Sequence, residues 1–339
     1  MKVLVVGGAG YIGSHICKAL AARGDEPIVF DNLSAGHAHA VKWGPLVRGD
    51  VRCRDDIDVA FRKYRPDAVM HFAANIEVGE GEREPLAFWN NNVGGVISLL
   101  DAMDRADCNK LVFSSTCATY GMPDRLPLTE DEPQEPINVY GRTKLAVEQM
   151  LADLANAKNF RYAALRYFNA SGASEEGDIG EEHDPETHLI PLALKAAAGI
   201  GGRMKVFGTD YDTPDGTCLR DYIHVSDLAR AHLAALDRLF AQAGGFACNV
   251  GTGAGYSVKQ VLDTVAKVTG RDVPHDLCER RPGDPAGLYA DVSLAKTLLQ
   301  FEPECSDLET IVRDAWNFHR RRWDVDHGQE DTIIVPANQ

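Results

Sequence analysis

"VVGGAGYIGSH", residues 5–15, decides how this chain is read. Its two valines close the apolar run KVLVV (2–6), and glycines follow at Gly7, Gly10 and Gly13. The run reads as a strand and the glycines as a tight turn that opens a helix near 12–23. Glycine at such positions lets backbone N–H groups approach a pyrophosphate at the positive end of a helix. Alone the triplet is weak, because any Gly-rich turn produces it. Asp31 sharpens it by ending a second strand, PIVF (27–30), at the distance downstream where a carboxylate accepts from both hydroxyls of an adenosine ribose. The same carboxylate repels a 2′-phosphate, and DNLSAGH (31–37) offers no arginine to receive one, so NAD is the expected cofactor.

Outward from this turn, apolar runs alternate with amphipathic stretches. PLVRG (45–49), DAVMHFA (67–73), KLVFSS (110–115) and RYAALRYF (161–168) read as strands, separated by helices near 54–64, 86–106 and 140–157. The alternation predicts an α/β fold, a Rossmann-like doubly wound parallel sheet with right-handed crossovers. Asp50 then lies at the end of the third strand, within reach of an adenine amino group, and HFAA (71–74) ends the fourth, beside the pyrophosphate.

The rhythm loosens after residue 170, where ASEEGDIGEEHDPE (173–186) is an acidic loop before an apolar helix near 189–198. A smaller mixed α/β C-terminal lobe is expected over 171–322, with 1–170 as the NAD-binding lobe. Segments near 219–238 and 246–253 are expected to return to the first lobe, and 323–339 forms a tail. Ser306 and Glu309 suggest a capping box before a final helix.

A chain of 339 residues exceeds what one core of about 250–300 residues supports, in keeping with two lobes. Its formal net charge of −15 argues against nucleic acid and anionic membranes as partners, and points to a small molecule. The eight cysteines are dispersed, without C-x-x-C or zinc-type spacing, so reduced thiols and no metal are expected. The N-terminal apolar run is too short for a signal core or a membrane span, which makes a cytoplasmic enzyme the expectation.

NVYGRTK (138–144) places Tyr140 one helical turn before Lys144, so both polar tips can address one ligand. A tyrosine acting as base near neutrality needs its pKa lowered by about three units, and a neighbouring ammonium supplies part of that shift. Thr116, beyond the fifth strand in FSSTCATYG (113–121), offers a hydroxyl to the same substrate oxygen. Tyr-x-x-x-Lys alone arises by chance on many helices; its order after the glycine turn, Asp31 and Thr116 gives it weight.

With these elements assembled, the chain resembles the extended short-chain dehydrogenase/reductase superfamily, and within it the UDP-glucose 4-epimerase family. GGAGYIGSH, DNLSAGH, SSTCATYG, YGRTK, RYFNASGA, HLIP, FGTDYDTPDGTCLRDYIHVSDLA, NVGTG and RRPGDPA carry the resemblance over about residues 1–320. It implies NAD-dependent interconversion of UDP-glucose and UDP-galactose through a transient 4-keto sugar, with Tyr140 as base, Lys144 as its electrostatic partner and Thr116 beside them. It further implies that NAD contacts Tyr11, Ile12, Asn32, Leu33, Ser34, Ala35, Gly36, Asp50, Val51, Phe72, Ala73, Ala74, Asn75, Ile76, Asn91, Thr116, Tyr140, Lys144 and Phe168. For the UDP-sugar it implies Asn169, His188 and Leu189 near the diphosphate and sugar, Lys205, Val206 and Phe207 around uracil, and Arg220, Arg281 and Asp284 on phosphates and ribose. Arg220 and Arg281 also suit a diphosphate by their forked geometry.

Three positions depart from the family pattern. Ile76 stands where relatives carry a lysine, His188 where some carry asparagine, and Leu288 where some carry a tyrosine that excludes N-acetylated sugars. Leu288 therefore predicts turnover of UDP-GlcNAc beside UDP-glucose. A 4,6-dehydratase would need Asp-Glu after Thr116, where Cys117 and Ala118 stand. A UDP-pentose or UDP-uronate 4-epimerase shares the catalytic group, and a non-enzymatic NAD sensor would lack it. The resemblance implies a homodimer through the helices at 86–106 and 140–157.

Overall fold

The structure, a computed structural model, describes residues 1–281 and 283–325. Most of the expected tail, from 326, lies outside the described residues. In chain order the first half forms β1 (Lys2–Val6), α1 (Tyr11–Ala22), β2 (Glu26–Asp31), β3 (Leu46–Arg48), α2 (Arg54–Tyr64), β4 (Ala68–His71), α3 (Val78–Arg83), α4 (Pro85–Trp89), α5 (Gly95–Arg105), β5 (Lys110–Thr116), α6 (Val139–Ala157) and β6 (Arg161–Tyr167). The second half forms β7 (Asn169–Ser171), α7 (Leu189–Ala197), β8 (Met204–Phe207), β9 (Leu219–Arg220), β10 (Tyr222–His224), α8 (Val225–Ala241), β11 (Gly245–Val250), β12 (Tyr256–Ser257), α9 (Val258–Thr269), β13 (His275–Cys278), β14 (Gly287–Leu288), α10 (Ser293–Leu299) and α11 (Leu308–Arg322). Among the described residues no helix is long and apolar enough to cross a membrane.

Seven strands make the main sheet in the order β11-β6-β5-β4-β1-β2-β3, every pair parallel. The central strands are continuously apolar because both faces are covered. Alternate residues of β1 serve opposite layers. Val3 and Val5 pack with Ile16 and Leu20 of α1 and Leu228 and Ala235 of α8, while Leu4 and Val6 pack with Ile57 of α2, Leu99 of α5 and Val147 of α6. From β1 the chain builds outward to β2 and β3, then returns to lay β4, β5 and β6 on the other side. That reversal opens a crevice at the carboxyl ends of β1 and β4, where sheets of this kind bind ligands.

A third core gathers α7, α9 and α11 with β8, through Ile190, Leu194, Val206, Val261, Val265, Ile311 and Trp316. Three small sheets frame it: β10 with β7, β12-β9-β14, and β13 with β8. Two local expectations change. The helix anticipated over 86–106 is α4 and α5 joined by a π turn at Asn90–Gly94, a geometry of the kind that recurs at functional sites. The final helix is capped by Asp307, whose side chain accepts from Thr310 N–H, and not by Ser306. Ser306 is drawn inward instead: its hydroxyl donates to Asp227 at 2.6 Å and accepts from His224 N–H at 2.9 Å.

Candidate active site

The turn after β1 is built by close approach. Gly7 has φ +82°, and a Cβ there would sit 2.6 Å from Ala73 N; one on Gly13 would sit 2.1 Å from the Gly7 carbonyl oxygen. The first turn of α1 has Gly10 as its N-cap, no capping side chain and no acidic residue, which leaves its N–H groups and positive end to an anion. Asp31 accepts from Ala9 N–H at 3.0 Å through one carboxylate oxygen and from Leu33 N–H at 2.8 Å through the other. Each oxygen keeps lone-pair capacity for a ribose hydroxyl. The loop 32–37 folds over the turn: His37 N–H donates to Ala9 O at 2.9 Å, and Asn32 Oδ1 holds Ser34 N–H at 2.9 Å. These features fit NAD: a glycine cradle no side chain can enter, an uncapped helix terminus for the pyrophosphate and a carboxylate for the ribose.

Asp50 is less free. Arg52 grips its carboxylate at 2.9 and 2.6 Å and holds its pKa well below the usual carboxylate range, with Asn32 adding a contact at 3.3 Å. Val51 is buried beneath α5.

After β4 the segment Phe72–Ile76 runs along the crevice, Phe72 N–H donating to Val6 O at 2.7 Å. Its far end is fixed by Asn92, which spacing alone does not single out. Asn92 Oδ1 accepts from Asn75 N–H at 2.8 Å and from Asn91 at 3.0 Å; its Nδ2 donates to Asn75 O at 2.9 Å and Thr143 Oγ1 at 3.1 Å. Thr143 Oγ1 in turn donates to Tyr140 O at 2.7 Å. The π turn thus ties the 75–76 loop to the first turn of α6.

Tyr140 stands in that first turn, which Asn138 caps by accepting from Gly141 N–H at 2.7 Å. Thr116 ends β5, its hydroxyl accepting from Ala118 N–H at 3.1 Å. Lys144 Nζ donates to Ser114 O at 2.7 Å and Ser114 Oγ at 3.2 Å, and lies 5.7 Å from the Tyr140 ring centroid and 4.8 Å from that of Phe113. Burial pushes Tyr140 above the ordinary phenol range, partly offset by the Thr116 hydroxyl, and pushes Lys144 down to about 7. In the chain alone, burial is the larger influence on Tyr140. Burial disfavours the charged form of both groups, but with Lys144 at about 7 its ammonium is populated around neutrality while the Tyr140 phenolate is not.

Beneath them lies a buried network that sequence spacing does not reveal. Glu148, one turn beyond Lys144, accepts from Ser115 Oγ and from Arg166 at 2.6–3.2 Å. Arg166 donates to Tyr120 OH at 2.9 Å, Tyr120 to Asn249 Oδ1 at 2.7 Å, and Asn249 to Leu128 O at 2.8 Å. One network joins α6 to β5, β6 and β11.

On the facing side, Asp284 links Arg220 and Arg281; the second pair is 3.0 Å apart, and the Arg281 guanidinium lies 4.9 Å from the Phe207 ring centroid. Phe207 thus has the Arg281 cation above it. Lys205 is exposed, whereas Val206 is packed into the third core. Asn169 Nδ2 is held by Asp221 O at 2.9 Å. Leu288 pairs in register with Arg220 and packs against the small core of Tyr120, Leu128, Phe168 and Ala290, which Cys117, following Thr116, also borders. His188 precedes Leu189 at the start of α7 and turns to Glu181, at 2.5 Å.

An uncapped helix end for a dinucleotide and a Tyr-Lys pair on α6, across the same sheet, define a pyridine-nucleotide-dependent enzyme of short-chain dehydrogenase design. Residues 3–251 match the NAD dependent epimerase/dehydratase family, and the chain belongs to that family. It is 53% identical over 321 residues to a UDP-glucose 4-epimerase of Rhizobium meliloti (strain 1021), covering 95% of this chain and 98% of the relative. The crystal structure of UDP-glucose 4-epimerase from Brucella ovis in complex with NAD matches with TM-score 0.92 and 54% identity, over 94% of this chain and 98% of that one. The UDP-Glc/GlcNAc 4-epimerase from Campylobacter jejuni matches with TM-score 0.83 and 40% identity, over 94% and 99%.

Proposed function

We propose that this chain is an NAD-dependent UDP-sugar 4-epimerase that interconverts UDP-glucose and UDP-galactose. The observation that carries the reading is the convergence of Tyr140, Lys144 and Thr116 at the carboxyl end of β5, in the sheet whose β1 leads into the glycine cradle. Gly7, Gly10, Tyr11, Ile12, Gly13 and Asp31 would hold the pyrophosphate and adenosine ribose, and the 72–76 segment the nicotinamide half. Bound NAD supplies a two-electron sink at sugar carbon 4 and returns the same electrons, with a planar 4-keto sugar between the transfers.

Tyr140 takes the proton of the 4-hydroxyl and later gives it back. Thr116 shares that oxygen and keeps it on the Tyr140 side. Lys144, whose ammonium burial weakens but leaves populated near neutrality, sets its positive charge against Tyr140 as Tyr140 becomes phenolate, and the two stand as an ion pair. Arg220 and Arg281 grip the diphosphate while the hexose turns about it. Holding one end of the substrate while freeing the other lets the return step reach the opposite face. Lobe 1–170, with the returning segments, serves NAD, and 171–322 serves UDP.

Leucine at 288, at the edge of the core that holds Phe168, supports room for an N-acetyl group. The test is to incubate the purified protein, without added NAD, with UDP-glucose, UDP-GlcNAc, a UDP-pentose and a UDP-uronate, and to follow products by NMR. Conversion of UDP-glucose to UDP-galactose with slower conversion of UDP-GlcNAc is expected. Turnover of the pentose or uronate alone would overturn the hexose reading, and Leu288→Tyr should abolish only the acetylated reaction. The exposed Leu86, Trp89 and Ile97 on α4 and α5 support a homodimer through these helices and α6. A cytoplasmic setting suits a chain that uses NAD and carries eight free thiols.

A further inference from the structure

Beside this site, the loop before α7 brings together a group of which only His188 is expected at the sugar, its ring turned away to Glu181. Glu181, His183, Glu186 and His188 fall within eight residues, and one ligand atom of each lies within 4.8 Å of all the others. The same four atoms recur in every contact: Glu181 Oε1 is 3.2 Å from His183 Nδ1 and 2.5 Å from His188 Nδ1, and Glu186 Oε1 is 3.9 and 3.7 Å from the same nitrogens. A tetrahedral ion with bonds of about 2.0–2.1 Å spaces its ligands about 3.3 Å apart, so small side-chain adjustments close the set.

Two further observations point to a ligand. The Glu181 and Glu186 side chains are each 3% exposed, and among the described residues their ion-pair partners are these two histidines, with no Lys or Arg. His183 Nδ1 is buried, faces the two carboxylates and makes no hydrogen bond. Buried paired carboxylates need a compensating charge of two. Two imidazolium ions provide it, and so does one divalent cation on two neutral imidazoles. The second arrangement also satisfies His183 Nδ1.

We propose that Glu181, His183, Glu186 and His188 bind one divalent transition-metal ion, zinc above all. Two imidazoles and two carboxylates suit zinc's borderline character, and magnesium or calcium would take oxygen ligands instead. A cleft of about 560 Å³, lined in part by Glu181, His183 and Glu186, gives the ion a way in. Glu186 Oε1 is oriented by N–H groups of Thr187 and His188, both at 2.8 Å, the kind of outer support that fixes a metal ligand.

The ion's role is structural. Glu182, inside the same segment, accepts from His37 Nε2 through its carbonyl at 3.0 Å and binds His39 and Arg322 through its carboxylate. His37 follows the loop expected at the adenosine ribose, and His188 leads into α7. The ion pins the segment that joins the cofactor loop to the sugar lobe.

The test reads metal and not turnover, so it stands apart from the epimerase assay. Full-length protein purified without chelator or affinity metal is analysed for bound metals, then stripped with EDTA, dialysed and titrated with ZnCl2 in buffers of different ionisation enthalpy. About one zinc per chain is expected, with release of up to about two protons per ion as the imidazoles give way to metal. X-ray absorption should show nitrogen and oxygen neighbours without sulfur, which separates this site from the cysteines. His183→Ala and, as a near-isosteric check on folding, Glu186→Gln should each weaken zinc binding at least about tenfold. The melting temperature of the unmodified chain should rise with zinc. No zinc uptake by the unmodified chain, a sulfur-containing shell, or unchanged affinity in both variants would overturn the site and leave the group as an imidazolium–carboxylate cluster.

Discussion

On the proposed reading, Tyr140 and Lys144, one turn of helix apart, set the proton-transfer step. Separately, each is driven by burial toward its uncharged form, Lys144 to about 7. A charge 5.7 Å from the phenol ring at an effective dielectric near 20 is worth about 3 kcal/mol, on the order of two pKa units. The Lys144 ammonium is populated near neutrality and brings the Tyr140 phenolate about two units closer to it. Removing the base and removing the charge should then differ. Tyr140→Phe should lower turnover by about a thousandfold or more with NAD still bound. Lys144→Met should instead move the acid limb of the kcat/KM profile. A base works only when deprotonated, so losing the nearby cation raises its pKa and shifts that limb to higher pH, by about two units. An acid limb unmoved in Lys144→Met would show that Lys144 does not tune Tyr140.

At the scale of elements, α6 is only as well placed as its seating. Glu148 and Arg166 form a buried pair at 2.6 Å between α6 and β6, each about 7% exposed, with Tyr120 and Asn249 completing the connection to β11. Removing one partner strands a buried charge, a loss of about 3–5 kcal/mol. Arg166→Met should show this in urea unfolding, and Glu148→Leu combined with it should recover much of the loss. Recovery that fails would mean the pair does more than neutralise itself. The same elements mark what the sequence discloses. Strands β1, β4 and β5 were legible as apolar runs covered on both faces, and the glycine turn was legible because its spacing follows from local geometry. Tyr140 and Lys144 were legible because i and i+4 share a helix face. Asn92 and Glu148 were not, since their importance rests on partners 51 and 18 residues away. The π turn hid in an amphipathic stretch that a continuous helix explains equally well. Ser306 was misread as a cap because its real partner, Asp227, lies 79 residues back along the chain.

For the whole molecule, the question is what covers the outer face of α4 and α5. Leu86 is 82% exposed and Ile97 51%, with Trp89 between them, which is a poor surface to leave in water. A second copy related by a two-fold axis would cover the patch with the same patch, and α6 lies alongside. Every group assigned to the chemistry belongs to one chain, so association would act on stability and on the seating of α6, not on the reacting groups. Leu86→Glu combined with Ile97→Glu would bring four carboxylates into such an interface, each costing several kcal/mol to desolvate without a partner. Sedimentation should then move from two chains to one. The separated chain should retain NAD and measurable epimerisation, but with a lower melting temperature, because α4, α5 and α6 lose their cover. A variant that sediments like the parent would place the subunit contact on another face. One that dissociates and also loses all turnover would mean that the seating of Tyr140 depends on the second subunit as much as on Glu148 and Arg166.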